Sequence, residues 1–279
     1  MKQALLGIAA IAALIGAPAQ AADMPLKAPP PPIVSWTGFY VGLEGGGRWS
    51  NPSWDTTCLE LGIAGGTCPF GLLGFPAGPT FLANNNPANF NSASLWGGVY
   101  GGYNFQVRPT WVVGLEGDFA DGNNTRTIAG IPGAETPGVP TTDTSTVTQT
   151  WDAGLRARLG YLVTPSTMLF VSGGGAWTHV SARALCGATT PWCTFTDLNT
   201  TSTASATLSG WSVGGGLEYR LASNLLVRGE YRYSQYGNFN YTLFPGLPPA
   251  LPGNDSIAAT LKLNSSTALA GIAYKFGGP

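Results

Sequence analysis

The sequence predicts an all-β protein: an eight-stranded antiparallel up-and-down transmembrane β-barrel with long extracellular loops. Three observations support this fold class. Eight apolar, glycine-bearing segments alternate with connections that are in turn short and long. In most of these segments charged residues and glycines share one face, and apolar residues form the other. Only 10% of the residues are charged, against about 25% in an average soluble domain, so few charges remain to solvate an outer surface.

The first residues have the pattern of a secretory signal peptide. Lys2 precedes an apolar run from Leu5 to Ile15, and Ala19-Gln20-Ala21 matches a small-residue cleavage site. Residues 1–21 are therefore predicted to be removed on export. Residues 22–35 include four consecutive prolines and predict an extended periplasmic linker that packs no core. Residues 36–279 then form the predicted barrel.

Turn residues punctuate the chain between the predicted strands. The strands are placed near 37–49, 93–107, 111–121, 148–163, 167–180, 207–221, 225–236 and 259–276. Three-residue connections such as Arg108-Pro109-Thr110 suit hairpins, whereas 50–92, 122–147, 181–206 and 237–258 are long and rich in Asn, Thr, Pro and Gly. Glycine triplets such as Gly173–Gly175 disfavour helices. Short turns at one end and long loops at the other are typical of an up-and-down barrel.

Alternation within the segments predicts which face meets lipid. Trp151, Leu155 and Tyr161 lie on one face of their segment, and Arg156 and Arg158 lie on the other. A soluble carrier barrel would turn the apolar face inward. The opposite orientation is favoured here, because the apolar face is continuous and aromatic, while a small interior has room for glycines and a few long side chains.

The spacing of aromatic residues agrees with a membrane span. Ten residues of strand at ~3.3 Å each and a tilt of about 40° rise about 25 Å, the height of the apolar band of such barrels. The predicted periplasmic girdle is Trp36, Trp111, Tyr161, Tyr219 and Phe276, and the predicted outer girdle is Trp49, Phe119, Trp151, Trp177 and Trp211. Leu261 and Leu263 have the opposite parity to Ile272, which indicates either a β-bulge in the last strand or a mistaken start of that strand near residue 259.

The charged face predicts a network of opposite charges inside the barrel. Its predicted acids are Glu44, Glu116, Asp118, Asp152, Glu218 and Glu230, and its predicted bases are Arg156, Arg158, Arg220, Arg228, Arg232 and Lys275. Arg48 is assigned to the rim, and Trp96, which has lumen parity, is predicted to fill the interior. Paired charges survive burial, whereas unpaired charges are strongly penalised. Because side chains fill an eight-stranded barrel, a structural ion-pair plug is favoured over a selectivity ring or gate.

The four cysteines lie in the first and third long connections. Export to an oxidising compartment predicts disulfides, and four cysteines allow three pairings. The two local pairings, Cys58–Cys68 and Cys186–Cys193, are favoured over the others. A zinc site is disfavoured, because the chain has one histidine and lacks closely spaced cysteines.

No catalytic, cofactor-binding or metal site is predicted. The single histidine, His179, lies beside Trp177 with apolar-face parity, and no base–nucleophile constellation accompanies it. The glycine triplets lack the Lys-Ser/Thr of a phosphate loop. A formal net charge of −1 gives no reason to expect nucleic acid.

Several stretches resemble one protein family. "SWTGFYVGLEGGG" (35–47), "WGGVYGGYNFQ" (96–106), "WVVGLEGDF" (111–119) and "LAGIAYKFGG" (269–278) resemble the outer-membrane immunogenic proteins of alphaproteobacteria, an opacity-like porin-family β-barrel group. The resemblance implies eight strands, a place in the outer membrane of a Gram-negative cell and no catalytic residues. The ending "GIAYKF" also resembles the C-terminal signal read by the barrel-assembly machinery, although Gly277-Gly278-Pro279 follow it.

These features predict a non-enzymatic outer-membrane protein with a structural and surface-antigen role in envelope integrity and surface contact. The expected partners are outer-membrane lipid and lipopolysaccharide, the barrel-assembly machinery during biogenesis, and host or surface ligands of the loops. A monomer without cofactor or nucleic acid is expected. A small passive porin-like channel for ions or small solutes remains the alternative, which conductance in planar bilayers would distinguish.

Overall fold

The structure is a computed structural model that describes residues 35–60, 84–135, 138, 140–187, 200–247 and 255–277. The described residues belong to one compact unit. Within the described residues the strands are β1 (Gly38–Glu60), β2 (Ala88–Asn89), β3 (Ser92–Arg108), β4 (Trp111–Asp121), β5 (Asn124–Ala129), β6 (Thr144–Thr164), β7 (Thr167–Leu185), β8 (Thr201–Ala222), β9 (Leu225–Tyr236), β10 (Phe239–Leu247) and β11 (Asp255–Lys275). The described part of the chain contains no helix of the length and hydropathy that a membrane crossing needs.

Eight of these strands close a ring. From β1 the ring passes through β3, β4, β6, β7, β8, β9 and β11, and β11 pairs again with β1. Every pairing is antiparallel. Residues 109–110, 165–166 and 223–224 make the short connections, all at one end, which we call the turn end. This confirms the predicted eight-stranded antiparallel barrel.

The middle of the barrel wall turns apolar side chains outward. Leu43 is 63% exposed and Val171 is 59% exposed, and many Val, Leu, Phe and Tyr side chains share this face. A continuous apolar belt of this size is unstable in water and needs a lipid environment. Of the predicted girdle residues, Trp49, Trp111, Phe119, Tyr161, Trp177, Trp211, Tyr219 and Phe276 face outward and exposed, and Trp151 is half-buried.

Trp36 does not belong to the girdle, so that prediction is wrong. Its side chain is fully buried inside the turn end, where its indole Nε1 donates to the Pro165 carbonyl over 3.1 Å. Its backbone N–H donates to Gln106 Oε1. Trp36 lies before the start of β1, so it is not bound by the alternation of a strand and can fold under the barrel.

The strands continue past the outer girdle into a second β-structure, which we call the cap. It comprises the described residues within 50–91, 122–149, 179–209 and 237–264, and it contains all of β2, β5 and β10. The sequence analysis assigned most of these residues to loops. Many of them form strands instead, because Thr and other β-branched residues suit an exposed strand face outside lipid.

The interior of the cap is apolar. The Trp54 ring stacks on Phe90 at 5.8 Å and meets Tyr241 edge-on at 5.3 Å. Buried side chains of every neighbouring cap strand surround them: Val147, Val180, Ala182, Ala184, Leu208, Leu243, Phe244, Ile257, Leu261 and Leu263. The cap therefore has a core of the kind found in water-soluble proteins.

This core explains the parity of the last strand. From Ile257 to Lys275 every odd-numbered residue of β11 faces the interior or has interior parity, and the β9–β11 ladder runs from Asn264 to Tyr274 without a register shift. The irregularity in the β1–β11 ladder lies between Thr56 and Cys58 of β1. The predicted bulge in the last strand is therefore wrong, and the start near residue 259 is indeed mistaken, because the strand begins at Asp255. The interior changes from polar to apolar while the strand stays regular.

Candidate functional site in the barrel lumen

Glycines on the inner face make room for the charged side chains. A Cβ atom on Gly214 would lie 2.6 Å from Glu230 Oε1, and one on Gly154 would lie 2.5 Å from Asp118 Oδ1. Both distances are too short for real atoms. This is why charges and glycines share a face in the sequence: the long side chains fold over positions that carry none.

Arg228 lies at the centre of the lumen and is fully buried. Its Nη1 is 2.6 Å from Glu116 Oε2, its Nη2 pairs with Glu44, and its Nη2 is 3.5 Å from Glu230 Oε2. Its guanidinium also stacks over the Tyr100 ring at 3.6 Å. One guanidinium thus joins acids from three strands, β1, β4 and β9, which barrel closure brings together.

Arg158 extends the network towards the turn end. Its Nη1 is 3.3 Å from Glu116 Oε2, and its Nη2 donates to Glu218 Oε2 over 2.8 Å. The Tyr40 hydroxyl accepts from Arg158 Nη1 at 2.9 Å and donates to Glu116 Oε2 at 2.8 Å. Tyr40 therefore binds an arginine and a carboxylate at once and fixes their relative position.

Two further arginines extend the network towards the cap. Arg156 Nη2 is 2.6 Å from Asp118 Oδ1 and 3.4 Å from Glu116 Oε1. Arg232 Nη1 is 3.0 Å from Asp118 Oδ2, and its Nε is 3.3 Å from Glu230 Oε1. Most of these carboxylates contact two or three arginines, so the charges form one connected network rather than separate pairs.

Arg48, which the sequence predicts at the rim, lies inside the barrel and forms a separate ion pair with Asp152. Its side chain is fully buried, and its Nη1 is 2.5 Å from Asp152 Oδ2. Trp96 Nε1 donates to the same Asp152 oxygen over 3.1 Å, and Gln149 Nε2 donates to Asp152 Oδ1 over 3.0 Å. The shared parity of Arg48 and Glu44 was the available signal, but parity does not give depth along the barrel axis.

Ten of the twelve predicted charged residues take part in ion pairs. All six acids do, and their partners are Arg156, Arg158, Arg228, Arg232 and the additional Arg48. Arg220 and Lys275 have no carboxylate of the described residues within 4.0 Å. Both lie at the turn end, where Arg220 Nη2 donates to the Ser35 carbonyl over 2.7 Å and the guanidinium stacks over Trp36 at 4.8 Å.

Side chains close the lumen at both ends. At the turn end, Trp36, Tyr40, Tyr100, Phe170 and Leu226 form one buried apolar cluster with their neighbours. At the other end lies the apolar core of the cap. Between that core and the charge network, the structure contains a cavity of about 10 Å³ beside Trp96, Asp152 and Tyr236. This volume holds about one water molecule.

The other predicted site residues lie outside this network. His179 stacks on Trp151 at 6.1 Å, and its Nδ1 is 3.4 Å from Thr207 Oγ1. Across the described ranges, no three His, Cys, Asp or Glu side chains form a group that could hold a metal ion. Cys186 is buried in the cap, and no described cysteine is free. The Cys58 side chain, Cys68 and Cys193 lie outside the described residues, so both disulfide pairings stay predictions.

The chain is similar to known outer-membrane proteins. Residues 8–276 match the model of the outer membrane protein beta-barrel domain. The chain is 29% identical over 284 residues to the 31 kDa outer-membrane immunogenic protein of Brucella melitensis biotype 1, covering 99% of this chain and 100% of that one. It is 27% identical over 276 residues to the 25 kDa outer-membrane immunogenic protein of Brucella abortus biovar 1, covering 99% and 96%. Among solved structures, the outer membrane protein OprG from Pseudomonas aeruginosa aligns with 87% of this chain and 97% of its own, with 13% identity and a TM-score of 0.48.

Proposed function

Because the chain belongs to the outer membrane protein beta-barrel domain family, we propose that it is a non-conducting, non-enzymatic barrel that anchors a surface-exposed β-sheet cap in the outer membrane. Its role is structural and antigenic: the barrel stabilises the envelope, and the cap makes contact with the surroundings. The observation that carries the proposal is the lumen, which a connected network of buried arginines and carboxylates fills from wall to wall.

The network opposes conduction for an energetic reason. Arg228, Glu116 and Glu44 are buried and neutralise one another without bulk water. Opening an aqueous path would separate these charges, and removing one partner from a buried pair costs about 3–5 kcal/mol. Several such contacts would have to break together, since each arginine at the centre contacts more than one acid.

The cap supports the surface role. It projects beyond the outer girdle, and its outer face is polar, with Thr125 and Thr148 hydroxyls 3.1 Å apart and Thr127 and Thr146 hydroxyls 2.9 Å apart. Two relatives that share more than a quarter of their residues with this chain are named immunogenic proteins. We therefore assign the antigenic surface to the cap.

Planar-bilayer recordings test the closed lumen. The refolded protein is expected to give no unitary current in either polarity. A double substitution, Glu116→Ala with Arg228→Ala, removes the centre of the network while keeping its formal charge balance, and it is expected to admit ions if it folds. Reproducible unitary currents from the unmodified protein would favour the alternative, a small passive channel.

Cysteine labelling on intact cells tests the surface role. Thr203→Cys places a thiol on the exposed cap face of β8, and Ser166→Cys places one in a turn at the opposite end. A membrane-impermeant maleimide is expected to label the first variant and not the second. Labelling of the Ser166→Cys variant alone would reverse the topology and contradict the antigenic role of the cap.

A further inference from the structure

We propose that the turn end of the lumen is a binding site for a phosphate group, which Lys275 and Arg220 hold from the periplasmic side. The site is separate from the charge network and goes beyond the structural role proposed above. Its two cations are the predicted network members that the acids of the lumen leave without an ion pair.

The charge balance of the lumen points to an anion. Five arginines share six carboxylates, which gives the network a formal charge of −1. Arg220 and Lys275 add two positive charges at one end and have no ion-pair partner among the described residues. A pair of buried like charges is unfavourable unless a counter-charge joins it. A group of opposite charge would therefore stabilise this end of the barrel.

Of the two residues, Lys275 has the greater need for an anionic partner. Its side chain is 1% exposed, and its Nζ has no hydrogen-bond partner within the described part of the chain. Arg220, a like charge, is the charged group that acts on it. An ammonium has three hydrogen-bond donors and no acceptor, so a buried and unpartnered Nζ is an orphan that an anionic acceptor would satisfy.

The backbone at this end places no side chain of residue 38 against Nζ. Gly38 has a φ of +142°, and a Cβ atom at this position would lie 2.5 Å from the Phe276 carbonyl oxygen and 3.4 Å from Lys275 Nζ. Only glycine fits here, so no side chain of residue 38 covers the ammonium. Asn224 fixes the main chain of Lys275 from the other side, because its Nδ2 donates to the Lys275 carbonyl oxygen over 2.7 Å.

Arg220 supplies the second donor. Its Nη2 already donates to Ser35, and its plane stacks over Trp36, but its buried Nε has no partner among the described atoms. The guanidinium is therefore held in place, and its Nε–H remains available as a hydrogen-bond donor. The charge network and the cap lie on the other side of these two cations, so the turn end is the side from which an anion would approach them.

Phosphate is the anion that fits best. Two local positive charges match the charge of a phosphate monoester or inorganic phosphate near neutral pH, about −1.5 to −2. Its tetrahedral oxygens can accept from an ammonium and a guanidinium that do not share a plane. Free periplasmic phosphate and the phosphodiester of a phospholipid headgroup in the inner leaflet, which carries one negative charge, both present phosphate oxygens that can accept from these donors. The experiment below separates these two sources.

Isothermal titration of the refolded full chain in a phosphate-free non-ionic detergent tests the proposal, with inorganic phosphate added at constant ionic strength. We expect saturable binding that is weakened at least tenfold in Lys275→Met and in Arg220→Gln. Arg108→Gln, which removes an exposed cation at the same end, is the matched control and is expected to bind as the unmodified chain does. Circular dichroism of each variant establishes that the barrel has folded.

A second arm uses vesicles that contain phosphatidylglycerol, with the phosphorus resonance of the lipid as readout. A perturbed lipid resonance that Lys275→Met abolishes, without binding of inorganic phosphate, assigns the site to a headgroup and supports the proposal. If neither probe binds, or if the folded Lys275→Met and Arg220→Gln variants bind like the unmodified chain, the proposal is wrong.

Discussion

Replacing Arg228 by methionine tests how the lumen is stabilised, because this residue contacts three carboxylates. Glu116 and Glu230 keep other arginines after the change, but Glu44 keeps only Arg232, at 4.0 Å. The loss therefore amounts to about one orphaned buried carboxylate. We expect the free energy of unfolding to fall by about 3–5 kcal/mol, measured by urea titration in phospholipid vesicles with tryptophan fluorescence.

The partner substitution makes the test quantitative. Glu44→Gln alone leaves Arg228 with two carboxylates, so its cost is expected to be smaller, about 1–3 kcal/mol. In the double variant, Arg228→Met no longer leaves a charged Glu44 behind. The double variant should therefore lose less than the sum of the single losses, with a coupling of about 1–3 kcal/mol. Additive losses, equal within about 0.5 kcal/mol, would show that Arg228 and Glu44 do not stabilise each other.

Two further predictions concern the wall and the cap. Gly214→Ala is expected to destabilise the barrel by about 1–3 kcal/mol, because its Cβ atom would collide with Glu230. Gly229→Ala is the neutral control in the same urea titration, because nothing lies within 4 Å of its Cβ position. Equal losses of stability in the two variants would contradict the packing of the inner face. In the cap, burial and then the nearby Asp143 raise the pKa of Glu135 to about 7 from an ordinary value of 4.5. The folded state binds the proton of the Glu135 carboxyl group more tightly than the unfolded state does. Protonated Glu135 therefore stabilises the fold fully below about pH 4.5, and this contribution is lost as the pH rises through about 7. Hydrogen exchange of residues 130–135, corrected for intrinsic rates, should show the cap loosening between pH 5 and pH 8, and Glu135→Gln should abolish that dependence.

The alternation of the strands was enough to predict the barrel and its orientation. In β9, Arg228 and Arg232 alternate with Val227 and Tyr231, and a period of two residues admits only one inward face. By the same rule the twelve charged residues predicted for the lumen fall on the inner face, and ten of them form ion pairs there. It worked because the membrane imposes one polarity on the outside of the wall over its whole height.

The same alternation did not predict the strands of the cap, because the outer face of the cap contacts water instead of lipid. Thr146 and Thr148 on its outer face and Val147 on its inner face repeat the alternation with reversed polarity. A strand with threonines outside was therefore taken for a loop. In β11 the reversal happens within one continuous strand, where Leu263 and Ser265 share the inner face, and it looked like a break in the strand.

The partners within the site could not be derived from the sequence at all. Glu44 and Arg228 are 184 residues apart, and only the closing of β1 onto β11 brings them into contact. Arg48 and Trp36 show the same limit. Parity along a strand gives the face on which a side chain lies, but it gives neither its height in the barrel nor the path of a segment that precedes the strand.

The barrel encloses a network of buried charges, and the cap above it encloses an apolar core. The barrel and the cap should therefore respond to different solution conditions. Cooling weakens the association of apolar side chains such as Trp54 and Leu261, whereas dissolved ions scarcely screen charges as deeply enclosed as Arg228. Low temperature should therefore loosen the cap while the barrel stays intact, and a high salt concentration should weaken neither the apolar core of the cap nor the charge network. The protein thus combines a cap that is sensitive to temperature with a barrel that is insensitive to both cold and salt.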